Sequence, residues 1–121
     1  MDSGRVVYMN GVFVPESEAK ISIFDSALMF GDMVFEMTRS FNKEQFKLRE
    51  HLERLYIGIK LLHIPIDMTI DEMEQACLET IAKNDKVFSE QDEHRLMINV
   101  SRGPLGLYSS VFDGRIEPTV V

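Results

Sequence analysis

FKLREHLERLYIGIKLLHI, residues 46–64, is the stretch from which the rest of the fold can be read. Leu52, Leu55, Tyr56, Ile59 and Leu62 recur at steps of three and four, which gathers them on one face of a helix. Glu50, Glu53, Arg54, Lys60 and, at the helix end, His63 fall largely off that face. Arg54 sits beside the apolar stripe, flanked by Glu53 and Leu55. An arginine so placed can bury its stem and aim a planar donor fork at a carboxylate or a phosphate. On spacing alone its nearest partner is Glu50, four residues back, a surface pair worth a few tenths of a kcal/mol.

Working outward, Met33–Phe41 (MVFEMTRSF) is the longest strand candidate. Val34, Glu36, Thr38 and Ser40 alternate with Met33, Phe35, Met37, Arg39 and Phe41, so one face is bulky and apolar but for Arg39. Asn42-Lys43-Glu44 then turns the chain, and Gln45–Leu48 returns as a paired strand running into the helix. Upstream, Phe24–Asp32 (FDSALMFGD) is a loop too apolar for a plain surface connection. It either folds over the core or packs under a ligand, with Gly31 allowing close backbone approach. Ile21–Ile23 reads as a brief extended segment. At the start, Val6–Met9 and Val12–Val14 flank Asn10-Gly11, the strongest short hairpin signal, and Pro15 ends the second strand.

Downstream, Pro65 closes the first helix. Thr69 and Glu72 form a capping box opening a second helix, whose inward stripe is Ile70, Met73, Cys77 and Ile81 and whose end lies near Lys83-Asn84. Arg95–Val100 is a strand, Ser101–Leu107 a turn-rich loop, and Pro118–Val121 the start of a strand with no partner following it. Together these predict an α+β domain: an antiparallel sheet with an N-terminal hairpin and two helices on one face.

At 121 residues the chain has the length of one domain. Its net charge of −7 and pI near 4.9 lack the basic patch that nucleic-acid binders carry. Residues 61–95 hold three Lys/Arg against nine Asp/Glu, which reads as a solvated helix face. Cys77 is alone and falls at an apolar helical position, so it is a small core residue in a reducing compartment. No charged-then-apolar leader opens the chain and no run of eighteen apolar residues occurs, so neither secretion nor a membrane span is expected. His51, His63 and His94 have no metal-ligand spacing. Neither glycine-rich nucleotide motif appears, nor a recognisable nucleophile with its base.

The string from Asn10-Gly11 through FGDMVFEMTRSF to EHLERL resembles the class IV (fold type IV) pyridoxal-phosphate aminotransferases, which include branched-chain and D-amino acid aminotransferases and aminodeoxychorismate lyases. The likeness is close over residues 8–64 and looser to Leu107. It implies pyridoxal 5'-phosphate as cofactor, held through its phosphate by the arginine of the E-H-L-x-R-L motif, Arg54. Phe30 and Phe35 would line the substrate pocket, where relatives often carry tyrosine. The loop Arg102, Gly103, Leu105, Gly106 and Leu107 would complete the substrate side. Leu107-Tyr108-Ser109 stands where D-amino acid enzymes carry R-x-H, which favours a branched-chain-like substrate.

The resemblance further implies a cytoplasmic homodimer that takes an amino acid and a 2-oxo acid, without nucleic acid or membrane. Family members are roughly twice this length, and their Schiff-base lysine belongs to a second domain. Lys20, Lys43, Lys47, Lys60, Lys83 and Lys86 match no such motif, so no catalytic residue is expected within the chain. Residues 1–117 are expected to form the N-terminal domain, and 118–121 to begin the linker or a second-domain strand. On this reading the chain alone is inactive. Alternatives are a lyase or D-amino acid branch, or a free-standing binding or structural domain.

Overall fold

The computed structural model describes residues 3–105 and 117–121. β1 (Val6–Met9) and β2 (Val12–Pro15) pair antiparallel, with Met9 opposite Val12 across the Asn10-Gly11 turn. Both turn residues take positive φ, 49° and 94°, the conformation that keeps the turn in step with strand twist.

The loop expected at Phe24–Asp32 contains a short helix, α1 (Ser26–Phe30). Asp25 caps it by accepting the Ala27 N–H, and Gly31 ends it in the left-handed region at φ 67°. The mixed composition that suggested a loop is thus a cap, one helical turn and a stop. Ile21–Ile23 forms no strand.

β3 (Met33–Phe41) turns through Asn42 and Lys43, both at positive φ, into β4 (Glu44–Gln45). The Glu93 carboxylate steadies that turn by accepting the Asn42 N–H at 2.7 Å, the Lys43 N–H at 2.9 Å and the Ser40 hydroxyl at 2.9 Å. The return strand is shorter than the expected Gln45–Leu48. Lys47 adopts a left-handed φ of 55°, which breaks the extended run and starts helix α2 (Leu48–Leu61).

Helix α2 buries Leu48, Leu52, Leu55 and Ile59, with Tyr56 half-buried beside them, so the periodic stripe is the core face up to Ile59, whereas Leu62 lies past the helix end and is exposed. Full burial of each such side chain contributes about 1.5–3 kcal/mol. The helix stops before Ile64 because His63 turns left-handed at φ 54°, and Pro65 disfavours a helical Ile64. In its last turn, Gly58 lies so close to β3 that a Cβ there would come within 2.8 Å of Val34 Cγ1.

Helix α3 (Ile70–Asp85) opens with the complete Thr69–Glu72 capping box and buries Met73, Ala76 and Cys77, with Ile70 and Ile81 half-buried. It packs on α2 and on β1.

The sheet order is β4-β3-β5-β6, all antiparallel, with β5 spanning Arg95–Ser101 and β6 spanning Thr119–Val120. Pro118–Val121 therefore does not dangle. Val120 pairs with Val100, and both are buried in the core. The α+β layout stands, with both long helices in the core layer beneath the sheet.

The two faces of β3 divide against the simplest hydrophobic reading. Glu36, Thr38 and Ser40 are buried, whereas Phe35, Met37 and Phe41 are exposed on the opposite face. A polar face points inward because its groups find partners there: Ser40 on Glu93, Thr38 on Gln45, and Glu36 on two residues of α2.

Candidate functional site

Arg54 lies on α2 next to the buried Leu55, and it meets Glu36 of β3 rather than Glu50. Its Nε donates to Glu36 Oε1 at 2.5 Å and its Nη2 to Oε2 at 2.8 Å, a bidentate fork on a carboxylate. His51, one turn earlier on the helix, brings Nδ1 to 2.7 Å from Oε2, and since an ionised carboxylate only accepts, that nitrogen is the donor.

Glu36 is 5% exposed, so burial alone would push its carboxyl up. The Arg54 hydrogen bond outweighs that, with His51 adding to it, and holds the carboxyl down to about 2. Glu36 is thus an anion at any physiological pH. Its pairing raises the guanidinium still further above its already high range.

The Arg54 side chain is 73% exposed. A guanidinium has five N–H groups, and Glu36 takes two of them from one edge. Among the described residues nothing else accepts from Arg54, so the remaining edge stays free to meet an incoming anion. That edge is oriented by a buried carboxylate and is suited to two oxygens of a phosphate.

The other expected site residues separate into two kinds. Phe30, the last residue of α1, is 67% exposed, and Phe35 on β3 is 61% exposed. Neither is a core aromatic. With Leu28, Met37, Phe41 and Met97 they leave a broad apolar surface open. Strand alternation puts Phe35 on the face opposite Glu36, so that ring and the Arg54–Glu36 pair are separated by the strand itself.

Arg102 is engaged within the protein. Its Nε and Nη2 donate to the two Asp32 carboxylate oxygens at 2.7 and 3.3 Å, Nη2 to the Leu62 carbonyl at 2.7 Å, and Nη1 to the His63 carbonyl at 3.1 Å. It satisfies carbonyls left over at the end of α2, with the charge sign a helix C-terminus favours.

Gly103 follows at φ 87°, buried, its carbonyl accepting the Ser26 N–H at 2.9 Å and its own N–H donating to Ser101 Oγ at 3.1 Å. Leu105 donates its N–H to the Phe24 carbonyl at 3.3 Å. Beneath this loop the buried Asp25 accepts from the Ser101 and Thr119 hydroxyls, both at 2.6 Å, tying α1, β5 and β6 together. Gly106 and Leu107 lie outside the described residues.

Sequence reasoning missed Glu36 and His51. The available signal was geometric: His51 and Arg54 stand three apart on one helix face, and a lone acid occupies the inward parity of β3. Cys77 is buried, and burial pushes its thiol up to about 12, which makes it unreactive. Among the described residues no group of His, Cys, Asp and Glu gathers for a metal ion, and no helix is long and apolar enough to cross a membrane.

The amino-transferase class IV family matches residues 33–121, nearly three quarters of the sequence. The chain belongs to that family. A putative branched-chain-amino-acid aminotransferase of Methanocaldococcus jannaschii is 42% identical over 102 residues, covering 84% of this chain and 34% of that protein. A D-alanine aminotransferase of Staphylococcus epidermidis is 31% identical over 81 residues, covering 67% of this chain and 29% of that protein. Among solved structures, the branched-chain aminotransferase of the thermophilic archaeon Thermoproteus uzoniensis, with norvaline, superposes with a TM-score of 0.77 at 28% identity, over 96% of this chain and 38% of that one. The chain thus spans about a third of the length of the relatives it matches.

Proposed function

We propose that these residues are the N-terminal, phosphate-holding part of a pyridoxal-phosphate-dependent aminotransferase that moves an amino group between an apolar, branched-chain-like amino acid and a 2-oxo acid. The observation that carries this reading is the Arg54 edge: exposed, aimed by buried Glu36, with N–H groups to spare. It fits a phosphate dianion, for which charge-assisted hydrogen bonds contribute roughly 1.5–3 kcal/mol each. The cofactor supplies the electron sink for amino-group transfer, and this chain supplies its grip on the phosphate.

Phe30 and Phe35 give the substrate side its apolar character, supported by their exposure and the absence of hydroxyls. Gly103, Leu105, Gly106 and Leu107 shape that side as well, and Arg102 contributes by fixing the loop to α2. The lysine that tethers the cofactor belongs to a second domain of the parent chain, following the segment 118–121. The parent is a cytoplasmic homodimer, a reading supported by the lone reduced thiol and by the open apolar surface around Phe35.

Titrating the 121-residue chain with pyridoxal phosphate and with phosphate-free pyridoxal tests the phosphate assignment directly. The phosphorylated form should bind more tightly, and Arg54→Ala should erase the difference. Borohydride should trap no stable adduct at a single lysine, and a stoichiometric one would sink the two-domain reading. The D-amino acid branch is the second reading, favoured by the D-alanine aminotransferase relative. L-leucine and D-alanine as amino donors to the parent enzyme separate the two.

A further inference from the structure

Asn10 has two tasks in the fold. As the first residue of the hairpin turn it takes φ 49°, followed by Gly11 at φ 94°. Beside the turn it holds β6: its N–H donates to the Val120 carbonyl at 2.9 Å, and its Oδ1 accepts the Val120 N–H at 2.8 Å. That reciprocal pair ties the β1-β2 hairpin to the four-stranded sheet, in which Val120 is buried opposite Val100.

Asn-Gly is also the dipeptide whose side-chain amide is most open to attack by its own main chain, because glycine carries no Cβ to shield its nitrogen. The Gly11 nitrogen gives up its proton to solvent base and bonds to Asn10 Cγ. The bond from Cγ to the side-chain nitrogen breaks, and ammonia leaves. Water then opens the resulting five-membered succinimide ring at either carbonyl, giving aspartate or isoaspartate. Both residues are exposed, and nothing lies within 4 Å of where a Gly11 Cβ would sit, so water and base reach the peptide.

The folded turn opposes the first of these steps. Ring closure needs the Gly11 nitrogen and Asn10 Cγ on the same side of the Asn10 Cα–C bond. A turn with positive φ at both central residues sets ψ of the first near about +30°, which swings the following nitrogen away from Cβ. The Val120 N–H holds the side-chain carbonyl as well, so Cγ is not free to follow.

We propose that Asn10-Gly11 is a modification site that the fold keeps shut, and that freeing the hairpin from β6 lets it convert to isoaspartate. The conversion cannot be accommodated on return. Routing the main chain through Cβ and Cγ adds an atom to a two-residue turn whose length sets the Met9–Val12 register. It also draws the oxygen that accepted from Val120 into the main chain, so the clamp on β6 is lost. Ordinary aspartate, the other product, keeps a carboxylate oxygen within reach of the Val120 N–H. The hairpin thus records in a covalent bond that it once came away from the main sheet. Neither Arg54 nor the cofactor reading enters into this.

Incubating the 121-residue chain at mildly alkaline pH, in buffer and in denaturant above its unfolding midpoint, tests the gate. Isoaspartate is counted by enzymatic methylation of its carboxylate and located by mass spectrometry. The native chain should form it at Asn10 about tenfold or more slowly than the denatured chain. Equal rates, or no isoaspartate at Asn10 in denaturant, overturn the proposal. The isoaspartate chain is then returned to buffer beside an Asn10→Asp chain put through the same steps, and hydrogen exchange is read at the Val120 and Leu55 amides. Val120 should exchange about tenfold or more faster in the isoaspartate chain, with Leu55 of α2 equally protected in both. Equal protection at Val120, or a loss at Leu55 as well, also overturns the proposal, because the release is then absent or not local.

Discussion

Arg102 gives its N–H groups to Asp32 and to the last carbonyls of α2, and only a quarter of its side chain meets solvent. Arg54 gives two to Glu36 and is nearly three-quarters exposed. Both were expected at the site, and both hold a carboxylate through two nitrogens. What separates them is the remainder: Arg102 turns its spare donors inward onto backbone, whereas Arg54 turns them outward. The same side-chain chemistry fastens a loop in one place and presents a binding edge in the other.

The sharpest challenge to that division lies next to Arg102. Gly103→Ala would drive a Cβ into the Glu117 carbonyl from a left-handed backbone, so a loss of about 3 kcal/mol or more is expected in urea unfolding. Next comes Arg102→Ala, which strands the Leu62 and His63 carbonyls and the Asp32 carboxylate. It should cost about 2–3 kcal/mol by the same measurement, with Arg102→Lys restoring only part. If Arg102→Ala proved neutral to stability but weakened substrate binding in the parent enzyme, the contrast would collapse.

The effect expected at Glu36 is read in pH. Its carboxyl lies near 4.5 when unpaired and about 2 in the fold, so the stability it contributes is present above about 4.5 and lost as pH falls toward about 2. Glu36→Gln should flatten that part of the acid-unfolding curve and leave the neutral region sloping as before. Arg54→Ala leaves the buried Glu36 carboxylate with His51 alone, so it should lower the urea midpoint too, while removing the preference for pyridoxal phosphate over pyridoxal. A larger stability loss there than at Arg102 would make Arg54 a structural tie as well.

Features that one short window determines were legible in the sequence. The Asn10-Gly11 hairpin, the Thr69–Glu72 capping box and the Leu52–Leu55–Ile59 stripe formed as read, because turn geometry, caps and helical periodicity are local. The orientation of β3 was not legible. Phe35, Met37 and Phe41 face out while Glu36, Thr38 and Ser40 face in, since those three polar groups are compensated by partners 15, 7 and 53 residues away. For the same reason the partner of Arg54 was misread: Glu50 is near in sequence, Glu36 near in space. The family likeness singled out Arg54 as the phosphate ligand, but only the geometry shows what aims it.

The contact between Gly58 and Val34 has a consequence for chemistry one helical turn away. Val34 and Glu36 share the inward parity of β3, and Gly58 and Arg54 stand four apart on α2. The pairs 34–58 and 36–54 are therefore neighbouring rungs between helix and sheet. A bare glycine on one rung sets the spacing at which the guanidinium on the other reaches its carboxylate. Any side chain at position 58 would act as a shim, lifting α2 from the sheet and loosening the Arg54 fork without touching either of its partners.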